Sequence, residues 1–124
     1  MATSTTASIA DPLGNTLYTL SETSTKPTTG ALDTTSGVIH AVEIDNTANA
    51  SVVYLHIWDL AAGSVVIGTT DEDFTFMAPA ASRITYACPE GAAYGTALSA
   101  ALVSAPGGSV GPSATVTVYI LVET

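Results

Sequence analysis

The 124-residue sequence predicts an all-β fold: a single antiparallel β-sandwich, jelly-roll or immunoglobulin-like, preceded by an extended N-terminal arm. Three observations predict it. From Gly37 onward, short runs of alternating apolar and polar residues follow one another closely. Gly, Pro, Asn and Asp punctuate those runs, as they do in sandwiches rather than in parallel sheets with helices. The first 36 residues, in contrast, are rich in Thr and Ser and poor in apolar side chains.

The chain therefore divides into an arm, residues 1–36, and a β-sandwich domain, residues 37–124. In the arm, Ile9, Leu13, Leu17, Leu20 and Leu32 are the larger aliphatic residues. Leu13, Leu17 and Leu20 have helix-like spacing, but Gly14, Thr16, Tyr18 and Thr19 disfavour a helix there. Alone, such a segment cannot bury enough apolar surface to offset the entropy of ordering. It is expected to gain shape against neighbouring molecules, with Ile9, Leu13, Leu17, Tyr18, Leu20 and Leu32 as the interface residues.

Within the domain, residues 38–45 predict a strand with Val38, His40, Val42 and Ile44 on one face. Asn46-Thr47-Ala48-Asn49 is a turn. Residues 51–60 predict a strand with Val53, Leu55 and Ile57 on one face and Val52, Tyr54, His56 and Trp58 on the other. Residues 65–67 predict a short strand, followed by a Gly68–Asp71 loop. Strands follow at 74–77, ended by Pro79, and at 83–87, ended by Cys88-Pro89-Glu90-Gly91. Residues 96–104 are apolar and alanine-rich; Gly91, Gly95, Thr96 and Ser99 favour a strand there over a helix. Pro106-Gly107-Gly108-Ser109 is an open loop. The last strand, 114–122, sets Val116, Val118, Ile120 and Val122 against Thr115, Thr117, Tyr119 and Leu121.

Composition excludes more than it selects. Eleven acidic residues face two basic ones, Lys26 and Arg83, for a net charge of −9. Nucleic acid and anionic membranes would be repelled, and no basic stripe can be built. No apolar run is long enough to span a bilayer as a helix. Residues 1–11 do not read as a signal peptide. One cysteine, Cys88, excludes an intrachain disulfide and a cysteine-based zinc cage. Charged residues are only 10% of the chain, while Thr and Ser number 20 and 12. A surface solvated by hydroxyls can be buried against a partner without stranding charges, which suits a component of an assembly.

Chemistry-bearing residues are few. His40 and His56 sit inside strands with no metal-ligand spacing, and no Gly-x-Ser-x-Gly elbow is present. No catalytic residue and no cofactor are expected. Asp71, Glu72 and Asp73 are weak candidates for calcium, since adjacent carboxylates can bind it, but such a run is more often simply solvated, and no D-x-D-x-D-G loop supports a calcium site. Trp58, Tyr54, Tyr86, Tyr94 and Tyr119 are read as core or subunit contacts rather than a sugar platform. Arg83 is expected to pair with a carboxylate.

The stretches Val53-Tyr54-Leu55-His56-Ile57-Trp58-Asp59, Ile67-Gly68-Thr69-Thr70, Met77-Ala78-Pro79-Ala80, Gly91-Ala92-Ala93-Tyr94-Gly95-Thr96-Ala97-Leu98 and Thr115 to Val122 carry a resemblance. With Ile44-Asp45-Asn46-Thr47 before them, they resemble small β-sandwich structural proteins of tailed-bacteriophage virions. The resemblance covers roughly the last two-thirds of the chain and leaves the arm outside. His56 and Trp58 stand where Lys and Tyr are common. The resemblance implies a virion component with no reaction and no cofactor.

The expected role is a capsid decoration (cement) protein on the outer surface of the capsid, where negative charge fits better than beside DNA. Its expected partners are the major capsid protein or other virion proteins, with no nucleic acid and no membrane. Symmetric shell sites favour a homo-oligomer, a trimer first. A tail, neck or fibre-associated module is the alternative. A secreted carbohydrate-binding or adhesin module is a further one.

Overall fold

The computed structural model describes residues 2–8 and 14–124. Among these residues nine strands follow in chain order: β1 (Ala2–Ser8), β2 (Thr16–Glu22), β3 (Gly30–Asp33), β4 (Gly37–Asp45), β5 (Val53–Trp58), β6 (Phe74–Ala78), β7 (Arg83–Tyr94), β8 (Leu98–Val103) and β9 (Val116–Glu123). They form two antiparallel sheets, β1-β2-β9-β4-β7 and β3-β8-β5-β6. The fold is an all-β sandwich.

Alternation explains most of the core. Val116, Val118, Ile120 and Val122 of β9 are fully buried, as are Val53, Leu55 and Ile57 of β5. They meet Leu98, Ala100 and Leu102 of β8 in one cluster. The alanine-rich segment is a strand because β8 lies between β3 and β5 and must supply the ladder on both edges.

The segment read as an arm differs from that expectation. Residues 16–22 and 30–33 are strands of the two sheets. Tyr18, Leu20 and Leu32 are core residues rather than exposed interface residues, and Leu17 is half-buried on the outer face. The physical reason is a period-2 pattern that ends on an acid. Tyr18, Leu20 and Glu22 all point inward. The Glu22 carboxylate is tolerated because backbone N–H groups of Thr23 and Ser24 donate to Oε1 and that of Thr28 donates to Oε2. Gly30 then lets β3 cross close to β2, since a Cβ there would lie 2.5 Å from Leu20 Cδ1. Ile9 and Leu13 lie outside the described residues.

Two further differences have local causes. On β4 the buried residues are Ile39, Val42 and Ile44, not Val38 and His40. A bulge places one extra residue, His40, opposite the Val122–Leu121 step of β9, and a bulge reverses the face on which following residues lie. On the other side, Cys88–Gly91 loops out of β7 against the same point. Gly91 occupies φ +78°, and a Cβ there would fall 2.3 Å from Val38 Cγ1. Residues 65–67 are not a strand. A short 3-10 turn, Ala62–Ser64, precedes them, and the backbone closes on itself through Thr69 and Thr70 N–H groups donating to the Val66 carbonyl.

These contacts make the N-terminal third part of the cooperative unit. Leu20→Ala is expected to cost about 2–5 kcal/mol in chemical denaturation. A chain starting at Gly37 is expected to lose its cooperative unfolding transition, whereas removing only residues 1–8 is expected to keep it. A sharp transition in the chain starting at Gly37 would show that β2 and β3 are dispensable.

Candidate interaction surface

Strand registers sort the polar groups by end. At one end, Asp33, Asp59 and Glu123 come together with the starts of β4 and β8. The Asp59 carboxylate accepts from the backbone N–H groups of Gly95, Thr96 and Ala97. The Gly95 bond is the largest influence holding Asp59 below the usual carboxylate range, with Thr96 and Ala97 adding to it against the opposing effect of burial. Burial works to raise the Asp33 pKa, but the Tyr94 hydroxyl, donating over 2.7 Å, and the backbone of Thr35 bring it below the usual value. These carboxylates tie loops together.

The expected calcium candidates diverge. Asp73 accepts from the Asp59 backbone N–H at 2.7 Å, Glu72 Oε1 lies 3.3 Å from His56 Nδ1, and Asp71 is exposed. No group of three His, Cys, Asp or Glu side chains among the described residues is placed to hold a metal ion.

Residues 59–73 cover the outer face of the β3-β8-β5-β6 sheet. Trp58 Nε1 donates to the Thr70 carbonyl and Ser99 Oγ to that of Leu60. His56 is thereby buried, with Nδ1 3.1 Å from Thr75 Oγ1 and Nε2 without a hydrogen-bond partner. Trp58 and Tyr94 are buried and unavailable as a sugar platform. Tyr86 packs against Phe76 with ring centroids 5.3 Å apart.

Two groups the sequence kept apart meet on the outer face of the other sheet. His40 and Cys88 line one cavity of about 310 Å³ with Ala41, Ala87, Pro89 and Leu121. His40 Nε2 is 3.5 Å from Glu123 Oε1. The β4–β7 bulge creates this meeting, and nothing in the local sequence of either residue signals it. Arg83 pairs within the chain, 2.7 Å from Glu43 Oε1 and 3.6 Å from Asp45 Oδ2.

The remaining surface feature is a pair of concavities. Residues 23–29 run between them and expose Lys26 on the ridge. One is an open groove of about 560 Å³ lined by Pro27, Thr28, Thr29, Ala62, Gly63, Val65 and Ile67. The other, about 240 Å³, lies between Thr25, Asn49 and Val52 and the Val110–Ser113 loop. Neither lining contains an acidic or basic side chain among the described residues. The bounding loops touch, since a Cβ on Gly68 would lie 3.2 Å from Ser109 Cβ. They expose Val66 (60%) and Val110 (56%). In a chain of net charge −9, residues 91–122 carry no charged side chain at all. Exposed apolar residues set among hydroxyls are the composition of a contact surface.

Comparison with protein-family models, curated proteins and solved structures finds no match.

Burial lowers the pKa of His56 from its ordinary value of 6.5, with Glu72 opposing. A group depressed in the folded state contributes stability above its unfolded pKa, and that stability is lost as pH falls through the folded pKa. Acidification from pH 7 to 5 is therefore expected to lower the melting temperature of the wild type more than that of His56→Gln. Equal slopes for the two proteins would remove His56 as the cause.

Proposed function

We propose that the chain is a non-enzymatic structural protein of a tailed-phage virion, a capsid decoration protein that binds the outer shell. The observation that carries this reading is the double groove, whose linings hold no acidic or basic side chain among the described residues, with Val66 and Val110 exposed beside it. Burying the two groove linings against the major capsid protein desolvates no charged side chain of those linings. The acidic end then faces outward, where its field repels neither DNA nor the shell contact. The resemblance of residues 44–122 to virion β-sandwich proteins supports the same reading. So does the use of Asp33, Asp59 and Glu22 as ties between backbone segments rather than as reacting groups. Repeated sites on a symmetric shell favour a homo-oligomer, with a trimer first.

A tail, neck or fibre-associated position is the second reading, since the same surface serves any virion contact. Copy number separates the two. Quantitative mass spectrometry of purified particles is expected to find the chain in hundreds of copies, and a few to a few dozen copies would move it to the tail or neck. Val66→Asp combined with Val110→Asp is expected to abolish association with the particle while leaving the melting temperature within a few degrees of wild type. Undiminished association of that variant would rule out the groove as the docking surface.

A further inference from the structure

We infer that β1 is an exchangeable strand, able to leave its own β2 and pair in the same register with β2 of a second copy of this chain. Four strands form the sheet edges. Three carry the usual guards against edge pairing. β3 is only four residues long and ends on Asp33. β6 has five residues between Asp73 and Pro79. β7 carries Arg83, Pro89 and Glu90 and is interrupted by the Cys88–Gly91 bulge. β1 reads Ala-Thr-Ser-Thr-Thr-Ala-Ser, seven residues with no charge and no proline.

The attachment of β1 is almost wholly through its backbone. It pairs with β2 from Ala2↔Glu22 to Ser8↔Thr16. Two further bonds help: the Ala2 backbone N–H donates to Thr28 Oγ1 at 3.0 Å, and Ser4 Oγ donates to the Ala31 carbonyl at 3.3 Å. Ala2 packs against the core, while Thr3, Ser4, Thr5 and Thr6 are exposed. β2 has its own anchors, Tyr18 and Leu20 in the core and β9 on its other edge. Release of β1 therefore uncovers little apolar surface and leaves the rest of the sandwich paired.

The complement to β1 is present on every copy: the same β2 edge, Thr28 and Ala31. Each bond lost in releasing the strand is regained in the same geometry on a neighbour, as in domain swapping. The strand brings no charge to the other molecule, so the net −9 of each copy is not concentrated at the joint. Seven residues separate Ser8 from Thr16 in the sequence. Exchange is bimolecular while self-pairing is not, so the exchanged form gains as protein concentration rises. The inference needs only the isolated chain and stands apart from the virion reading.

Thr5 and Thr19 are ladder partners, so cysteines at these positions report exchange. In a Cys88→Ala background, a chain with Thr5→Cys is mixed with a chain with Thr19→Cys. The mixture is unfolded, refolded at high concentration and oxidised. A disulfide-linked dimer is expected in several-fold greater yield than from Thr5→Cys mixed with Thr96→Cys, which lies off the ladder. A single chain carrying both Thr5→Cys and Thr19→Cys is expected to close on itself as a monomer when oxidised dilute, confirming the register. Equal dimer yields from the ladder pair and the control pair would overturn the inference, whatever the copy number in particles proves to be.

Discussion

Antiparallel pairing of β2 with β9 sets Tyr18 beside Ile120 and Leu20 beside Val118, joining the N-terminal part of the chain to its last strand. The rest of the sandwich depends on that seam. β9 is central in its sheet only because β2 covers one of its edges and β4 the other. β3 lies close over β2 because Gly30 has no side chain to collide with Leu20. Glu22 ends the seam by drawing the following turn back onto its carboxylate. Burial of apolar surface drives these contacts, and the backbone bonds to Glu22 make an inward-facing acid affordable.

The polar interior is spent on architecture. Asn46 Nδ2 donates to the carbonyls of Ser51 and Pro79, and Asn49 Oδ1 accepts from the Ala114 backbone N–H, so two side chains hold three loops. Asp59 fixes the turn into β8 and Tyr94 fixes Asp33. Many carboxylates and amides are committed to loop geometry, while the surface around Val66 and Val110 is built from hydroxyl and apolar groups. The proposed virion role rests on that division.

Much of the fold is legible in the sequence, because alternation in β5 and β9 has a period of two and Gly, Pro and Asn mark the turns. The N-terminal strands were hidden for a definite reason. Leu13, Leu17 and Leu20 suggest a helical spacing, whereas the inward set is Tyr18, Leu20 and Glu22, and an acid does not read as core. Alternation puts His40 on the inward face of β4, and the bulge that turns it outward leaves no trace in a pattern of apolar residues. Val65–Ile67 looks like a strand by composition but has no partner edge. The meeting of His40 with Cys88, and the grooves beside residues 23–29, arise from long-range pairing that local sequence does not encode.

The central claim is that β2 belongs to the core while β1 is held mainly by its backbone. Residue-resolved amide hydrogen exchange on the isolated chain tests it directly. The β2 amides that bond β9 should be protected as strongly as those of β9 itself, and β1 amides should exchange far faster through local opening. Exchange of those β2 amides at the rate of an unstructured peptide would contradict the account.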